Sequence, residues 1–215
     1  MDKTTWKVQD KEITLFASNI PDAPLIILNG AEGEIKDVKG INLAAIGNLD
    51  WNHDLAPWDA PAAFKGGEAF TGGADDYLKL LSGEIFPAIK EKINGTPPFT
   101  GIAGYSLAGL FAIYSLYKTD IFDRCASMSG SLWFPGFIDF AKNNTPLKVP
   151  EKLYLSLGDK ESKVRNPLLS SVETNTTIIA DHFGKLGTDT VFEHNPGNHF
   201  TDIPARIFKG ISQIS

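Results

Sequence analysis

The stretches PLIILN (Pro24–Asn29), FTGIA (Phe99–Ala103) and KLYLSL (Lys152–Leu157) are short, nearly all apolar, and separated by segments with helical periodicity. A run of this kind has no polar face to give to water. It must be covered on both sides, as a strand of a parallel sheet is between two layers of helices. Further candidate strands are Glu12–Ala17, Ile41–Ile46, Arg124–Met128 and Thr190–His194. Candidate helices cover Asp75–Lys92, Leu107–Lys118, a stretch from Asn166 to Leu186, and Ile203–Gln213. The first of these carries a stripe of Tyr77, Leu80, Leu81, Ile85, Phe86 and Ile89, with Pro87 as an expected kink. The pattern predicts an α/β chain with a mostly parallel central sheet flanked by helices. Its 215 residues suffice for one such domain. Residues 48–73, rich in Trp, Pro and Gly, fit neither pattern and read as an ordered surface excursion.

The formal net charge is −6, and no basic run occurs. Nucleic acid and anionic membranes are therefore not expected partners. The single Cys125 has no internal partner, and MDKTTWKVQDKE lacks the apolar core of a secretory signal. No apolar stretch reaches the length of a membrane-spanning helix. The expected location is the cytoplasm; the sequence sets no oligomeric state.

Ser106 stands in GIAGYSLAGL, between a candidate strand and a candidate helix. The small residues Gly104, Ala108 and Gly109 suit a nucleophile elbow, whose strained backbone tolerates little beside the serine. They equally suit close packing of a strand on a helix. An elbow makes two further demands: an acid and then a histidine, in that chain order, in loops after later strands. His53 precedes the serine, His182 lies in a helical pattern, and His194 ends a candidate strand. His199, in the loop NPGNHFTD, is the candidate base; the alternative is a cap on the last helix. After KLYLSL the sequence reads GDKES. Glu161, three residues beyond Gly158, is the candidate acid, with Asp159 in reserve; the alternative is a solvated acidic turn. The N–H of Leu107 and those of Gly30 and Ala31, after the strand PLIILN, are the candidate oxyanion donors.

GYSLAGL, SGSLWFPGF, GDKESKVRNPLL and PGNHF together resemble the putative esterase family of α/β-hydrolases, which includes the esterase D and enterobactin-esterase types. The resemblance runs from about Leu25 to the last residue. It implies an α/β-hydrolase fold with a minimal cap; in a chain shorter than many relatives, missing first-strand and lid elements are expected. It further implies hydrolysis of a small-molecule carboxylic ester without metal or organic cofactor. Ser106 is then the nucleophile, His199 the base, and the acid falls at GDKE. The excursion resembles the substrate side of these enzymes, with Trp51, His53, Trp58 and Phe64 as an expected apolar wall. Tyr105 and Trp133 join the expected substrate contacts, and Ser129 approaches from the same side as Trp133. His53 and Asp54 have no companion ligands at metal spacing. An acyltransferase, a non-catalytic binding module of the same fold, and a siderophore esterase are the alternatives.

Overall fold

A computed structural model describes residues 2–30 and 39–215 of the chain. Its strands are β1 (Asp2–Val8), β2 (Lys11–Ala17), β3 (Leu25–Asn29), β4 (Asn42–Gly47), β5 (Asp59–Ala60), β6 (Phe70–Thr71), β7 (Thr100–Tyr105), β8 (Arg124–Met128), β9 (Lys152–Gly158) and β10 (Asp189–Asn195). Its helices are α1 (Trp51–Asp54), α2 (Ala74–Leu80), α3 (Phe86–Lys90), α4 (Leu107–Ser115), α5 (Phe137–Asn143), α6 (Pro167–Ser170), α7 (Val172–Lys185) and α8 (Ile203–Ile214). The main sheet runs β1-β2-β4-β3-β7-β8-β9-β10. β1 and β2 pair antiparallel, as do β2 and β4; every later neighbour is parallel. This is the mostly parallel, helix-flanked sheet that the apolar runs predict.

The two faces of β3 show why its run is continuous. Leu25 and Ile27 join the core shared with α4, while Ile26 and Leu28 join the one under α8, which Ile211 and Ile214 also fill. All four of these side chains are buried, so a polar residue at any of them would lose its water.

The expected long helix over 75–92 is one rod with a π-helical turn, Leu81–Ile85, between α2 and α3. Pro87 follows that turn, in the opening residues of α3. The wider turn accommodates a residue that has no N–H and whose ring crowds the preceding turn. Outside the 48–73 excursion, two elements were not visible in the sequence. β1 pairs with β2 along its whole length through a tight turn at Gln9, so first-strand elements are present rather than missing. α5 follows the SGSLWFPG segment.

The excursion at 48–73 is no mere surface feature. It holds α1 and the small β5–β6 ladder. Leu55, Ala56, Ala60 and Phe70 are buried within the larger core. A buried ion pair ties it to the hairpin: Lys11 Nζ lies 2.6 Å from Asp54 Oδ2.

Candidate active site

Ser106 occupies the junction of β7 and α4 with φ 57° and ψ −122°. This is a strained conformation for a residue with a side chain, held by the structure around it. The Ser106 N–H donates to the Met128 carbonyl at 3.0 Å, and its own carbonyl accepts from Gly109, Leu110 and Ser131. The flanking small residues are required sterically. A Cβ at position 104 would overlap the Ala108 carbonyl, and one at position 109 would come within 2.8 Å of Ser127 Oγ. The elbow is thus a close-packed turn as well as a display of the serine, and the two sequence readings merge.

His199 Nε2 lies 3.0 Å from Ser106 Oγ, and His199 Nδ1 lies 2.8 Å from Glu161 Oε2. With the ring donating its Nδ1 proton to the carboxylate, Nε2 is the acceptor facing the serine hydroxyl. The structure therefore brings together three residues from the ends of β7, β9 and β10, in the order and loops anticipated.

Glu161 is buried and densely bonded. Its Oε1 accepts from Ser129 Oγ at 2.6 Å, from the Gly158 N–H at 2.6 Å and from Arg206 Nη1 at 3.1 Å. Burial alone would raise its pKa. The hydrogen bonds from His199, Ser129 and the Gly158 N–H outweigh it and hold the carboxyl below the ordinary glutamate value. Asp159, the reserve acid, faces elsewhere. Its Oδ1 accepts from the Gly197 N–H at 2.8 Å and so pins the loop that carries His199. Ser129 contacts Glu161, not the open cleft.

Arg206, on α8, was not singled out in the sequence. It is 3% exposed, and besides Glu161 its Nη1 donates to Ser129 Oγ and Tyr105 Oη, while Nη2 donates to the Pro196 carbonyl. The one available signal was a lone arginine among the apolar positions of IPARIFKGI.

A cleft of about 540 Å³ opens above Ser106. Among the expected substrate contacts, Trp51, Trp133 and Phe64 line it. Three expected contacts lie elsewhere. Trp58 is turned into the body, its Nε1 donating to the Pro135 carbonyl and its ring against Tyr114, Phe134 and Phe140. His53 bonds Thr71 Oγ1 through Nδ1 at 2.9 Å and packs on Gly73. Tyr105 is buried beneath the site, donating to the His199 carbonyl at 2.6 Å. With His53 on Thr71 and Asp54 on Lys11, these neighbours in sequence point to different partners. Among the described residues no group of three or more His, Cys, Asp or Glu side chains is placed to share a metal ion.

Of the expected oxyanion donors, Gly30 is otherwise engaged. Leu107 lines the cleft as the first residue of α4, where N–H groups lack an intrahelical acceptor. The Gly30 N–H, however, donates to the Ile46 carbonyl at 3.0 Å and is engaged in the sheet. Gly30 serves another need. Its φ is +72°, and a Cβ there would come within 2.8 Å of the Trp51 ring. Ala31 lies outside the described residues.

Residues 29–184, well over half the chain, match the family model described as "Putative esterase". The chain belongs to that family. Ester hydrolysis is the class of activity the Putative esterase family carries. No curated protein matches the chain by sequence. Among solved structures it is similar to an IroE-like serine hydrolase from Shewanella oneidensis, with a TM-score of 0.76 and 16% identity over 98% of this chain and 78% of that one. It is similar to the siderophore hydrolase EstA from Aspergillus nidulans, with a TM-score of 0.72 and 17% identity over 98% and 93%. It is similar to the enterobactin esterase FES from Shigella flexneri, with a TM-score of 0.72 and 16% identity over 98% and 57%. These likenesses establish the α/β-hydrolase fold for this Putative esterase member. No helix among its described residues is long and apolar enough to cross a membrane.

Proposed function

We propose that this chain is a serine hydrolase that cleaves a carboxylic ester through an acyl-enzyme on Ser106. The observation that carries the reading is the continuous hydrogen-bonded line from Glu161 through His199 to Ser106. His199 Nε2 takes the hydroxyl proton as Ser106 Oγ attacks the ester carbonyl carbon. The tetrahedral oxyanion forms beside the Leu107 N–H, at the positive end of α4. His199 then gives the proton to the departing alcohol oxygen, leaving the acyl group on Ser106. Water repeats the sequence: His199 takes its proton, the oxygen attacks the acyl carbon, and Ser106 leaves reprotonated. Glu161 holds the imidazole in one tautomer and balances its charge while it carries the extra proton.

Ser106→Ala should lower kcat on p-nitrophenyl acetate by at least about a thousandfold with an unchanged melting temperature. It should also abolish labelling by a fluorophosphonate. Hydrolysis that survives the substitution would overturn the scheme, and a folded wild type that neither labels nor hydrolyses would favour a binding module. Added alcohols separate hydrolase from acyltransferase by the ratio of free acid to new ester. The neighbours named for siderophores make a siderophore ester one member of the substrate panel. The lone buried Cys125 suits a reducing compartment such as the cytoplasm.

A further inference from the structure

The cleft is walled chiefly by carbon. Trp51, Phe70, Trp133, Leu169 and Val172 form its sides around Ser106. Among the described residues that line it, Lys160 is the only lysine or arginine, and the exposed carboxylate of Glu68 lines the same cleft. The other lining carboxylate, Glu161, is already paired with Arg206 and His199.

The apolar surface continues outward. Phe64, Val164 and Phe200 also line the cleft, and they are 62%, 44% and 80% exposed. A single exposed apolar side chain needs no explanation, but a group of them at the mouth of one cleft marks a contact surface. The rim is fixed in place. Asn166 Nδ2 donates to the Ala63 carbonyl at 2.7 Å, joining the segment that bears Phe64 to the one that bears Val164. The Phe200 N–H donates to Asn198 Oδ1 at 2.9 Å, and its ring stands edge-on to His199, with centroids 5.2 Å apart.

From this we infer that the substrate is a neutral ester carrying a bulky apolar arm, which runs from Ser106 along the aromatic walls to the Phe64–Val164–Phe200 rim. The inference rests on the hydrolase reading and names the substrate class of that same site. An acetyl group would leave most of about 540 Å³ unfilled. An anionic arm would meet one lysine, the Glu68 carboxylate in the same cleft and a chain of net charge −6. Each methylene moved from water into such a cleft strengthens binding by roughly three- to fourfold. The gain should continue until the arm leaves the rim.

The test compares kcat/KM for p-nitrophenyl acetate, butyrate and octanoate with that for the mono-p-nitrophenyl ester of suberic acid, which ends the same chain length in a carboxylate. A parallel series of ethyl, butyl and octyl acetates, followed by pH-stat, asks whether the acyl or the alcohol half carries the arm. The expected results are octanoate over acetate by at least about tenfold and octanoate over suberate by a similar factor, or the equivalent rise in the alcohol series. Phe64→Ala and Phe200→Ala should each lower the long-to-short ratio by about three- to tenfold. Flat or falling profiles in both series, or suberate equal to octanoate, would overturn the inference. With fluorophosphonate labelling intact, such profiles would leave the hydrolase reading standing. Loss of both labelling and all ester turnover would overturn the two together.

Discussion

Arg206 and Glu161 form a buried ion pair, Nη1 to Oε1 at 3.1 Å, with both side chains below 5% exposure. The same guanidinium donates to Ser129, to Tyr105 and to the Pro196 carbonyl. It therefore joins the strand that carries the acid to the loop that carries the histidine.

Removing one partner of a buried pair leaves the other charge uncompensated, at a cost of about 3–5 kcal/mol. Arg206→Met should lower the unfolding free energy by that order and depress kcat. Arg206→Lys should recover part of the stability and less of the rate, because one ammonium cannot span the forked contacts. Denaturant titration and steady-state kinetics on the same preparations check both.

The two acidic neighbours in GDKES separate by role. Glu161→Gln removes the charge beside the imidazole and should reduce kcat by about a thousandfold or more. Asp159→Asn keeps an oxygen for the Gly197 N–H and should stay within about tenfold of wild type. Equal losses would mean that the geometry misassigns the acid.

The depressed pKa of Glu161 fixes the sign of a pH effect. The folded protein binds this proton less readily than the unfolded chain does. Its contribution to stability is complete above the ordinary glutamate pKa of about 4.3 and is lost as pH falls through the lower folded value. The melting-temperature gap between wild type and Glu161→Gln should be widest near neutrality and close below about pH 4. Calorimetry across that range reads it directly.

Gly30→Ala places a methyl within 2.8 Å of the Trp51 ring at a positive φ. The backbone cost is about 1 kcal/mol, and displacement of the ring adds to it. Because Trp51 also walls the cleft, KM for a long-chain ester should rise along with the loss of stability. A KM left unchanged would show that the indole has no part in binding.

What could be read in the sequence follows from local physics. β3, β7 and β9 were legible because strands buried on both faces must be written in continuous apolar residues. Ser106 and His199 were legible because an elbow needs small neighbours and a rim loop needs Gly and Pro. Other features depend on distance and direction. β1 is a polar edge strand with nothing local to distinguish it from a tail. Trp51 and Trp58 are the same residue type seven positions apart, yet one faces the cleft and the other the core. That difference is set by distant partners: Trp58 meets Tyr114, Phe134, Phe140 and the Pro135 carbonyl, while Trp51 packs beside Gly30 at the cleft. The engagement of the Gly30 N–H follows from its position beside Ile46 at the end of β4. Arg206 lies 45 positions after Glu161, and no spacing rule joins a helix to a turn that far upstream.

The position of Arg206 also sets an order of assembly. Serine, acid and histidine all come before it as the chain leaves the ribosome, the histidine by only seven residues. Until the helix that bears this arginine has emerged and docked, the carboxylate has no cation at its back and the histidine loop no strut beneath it. Imidazole and brace therefore emerge almost together, and the cluster around Ser106 should gain its rigid geometry only when the last helix of the nascent polypeptide docks.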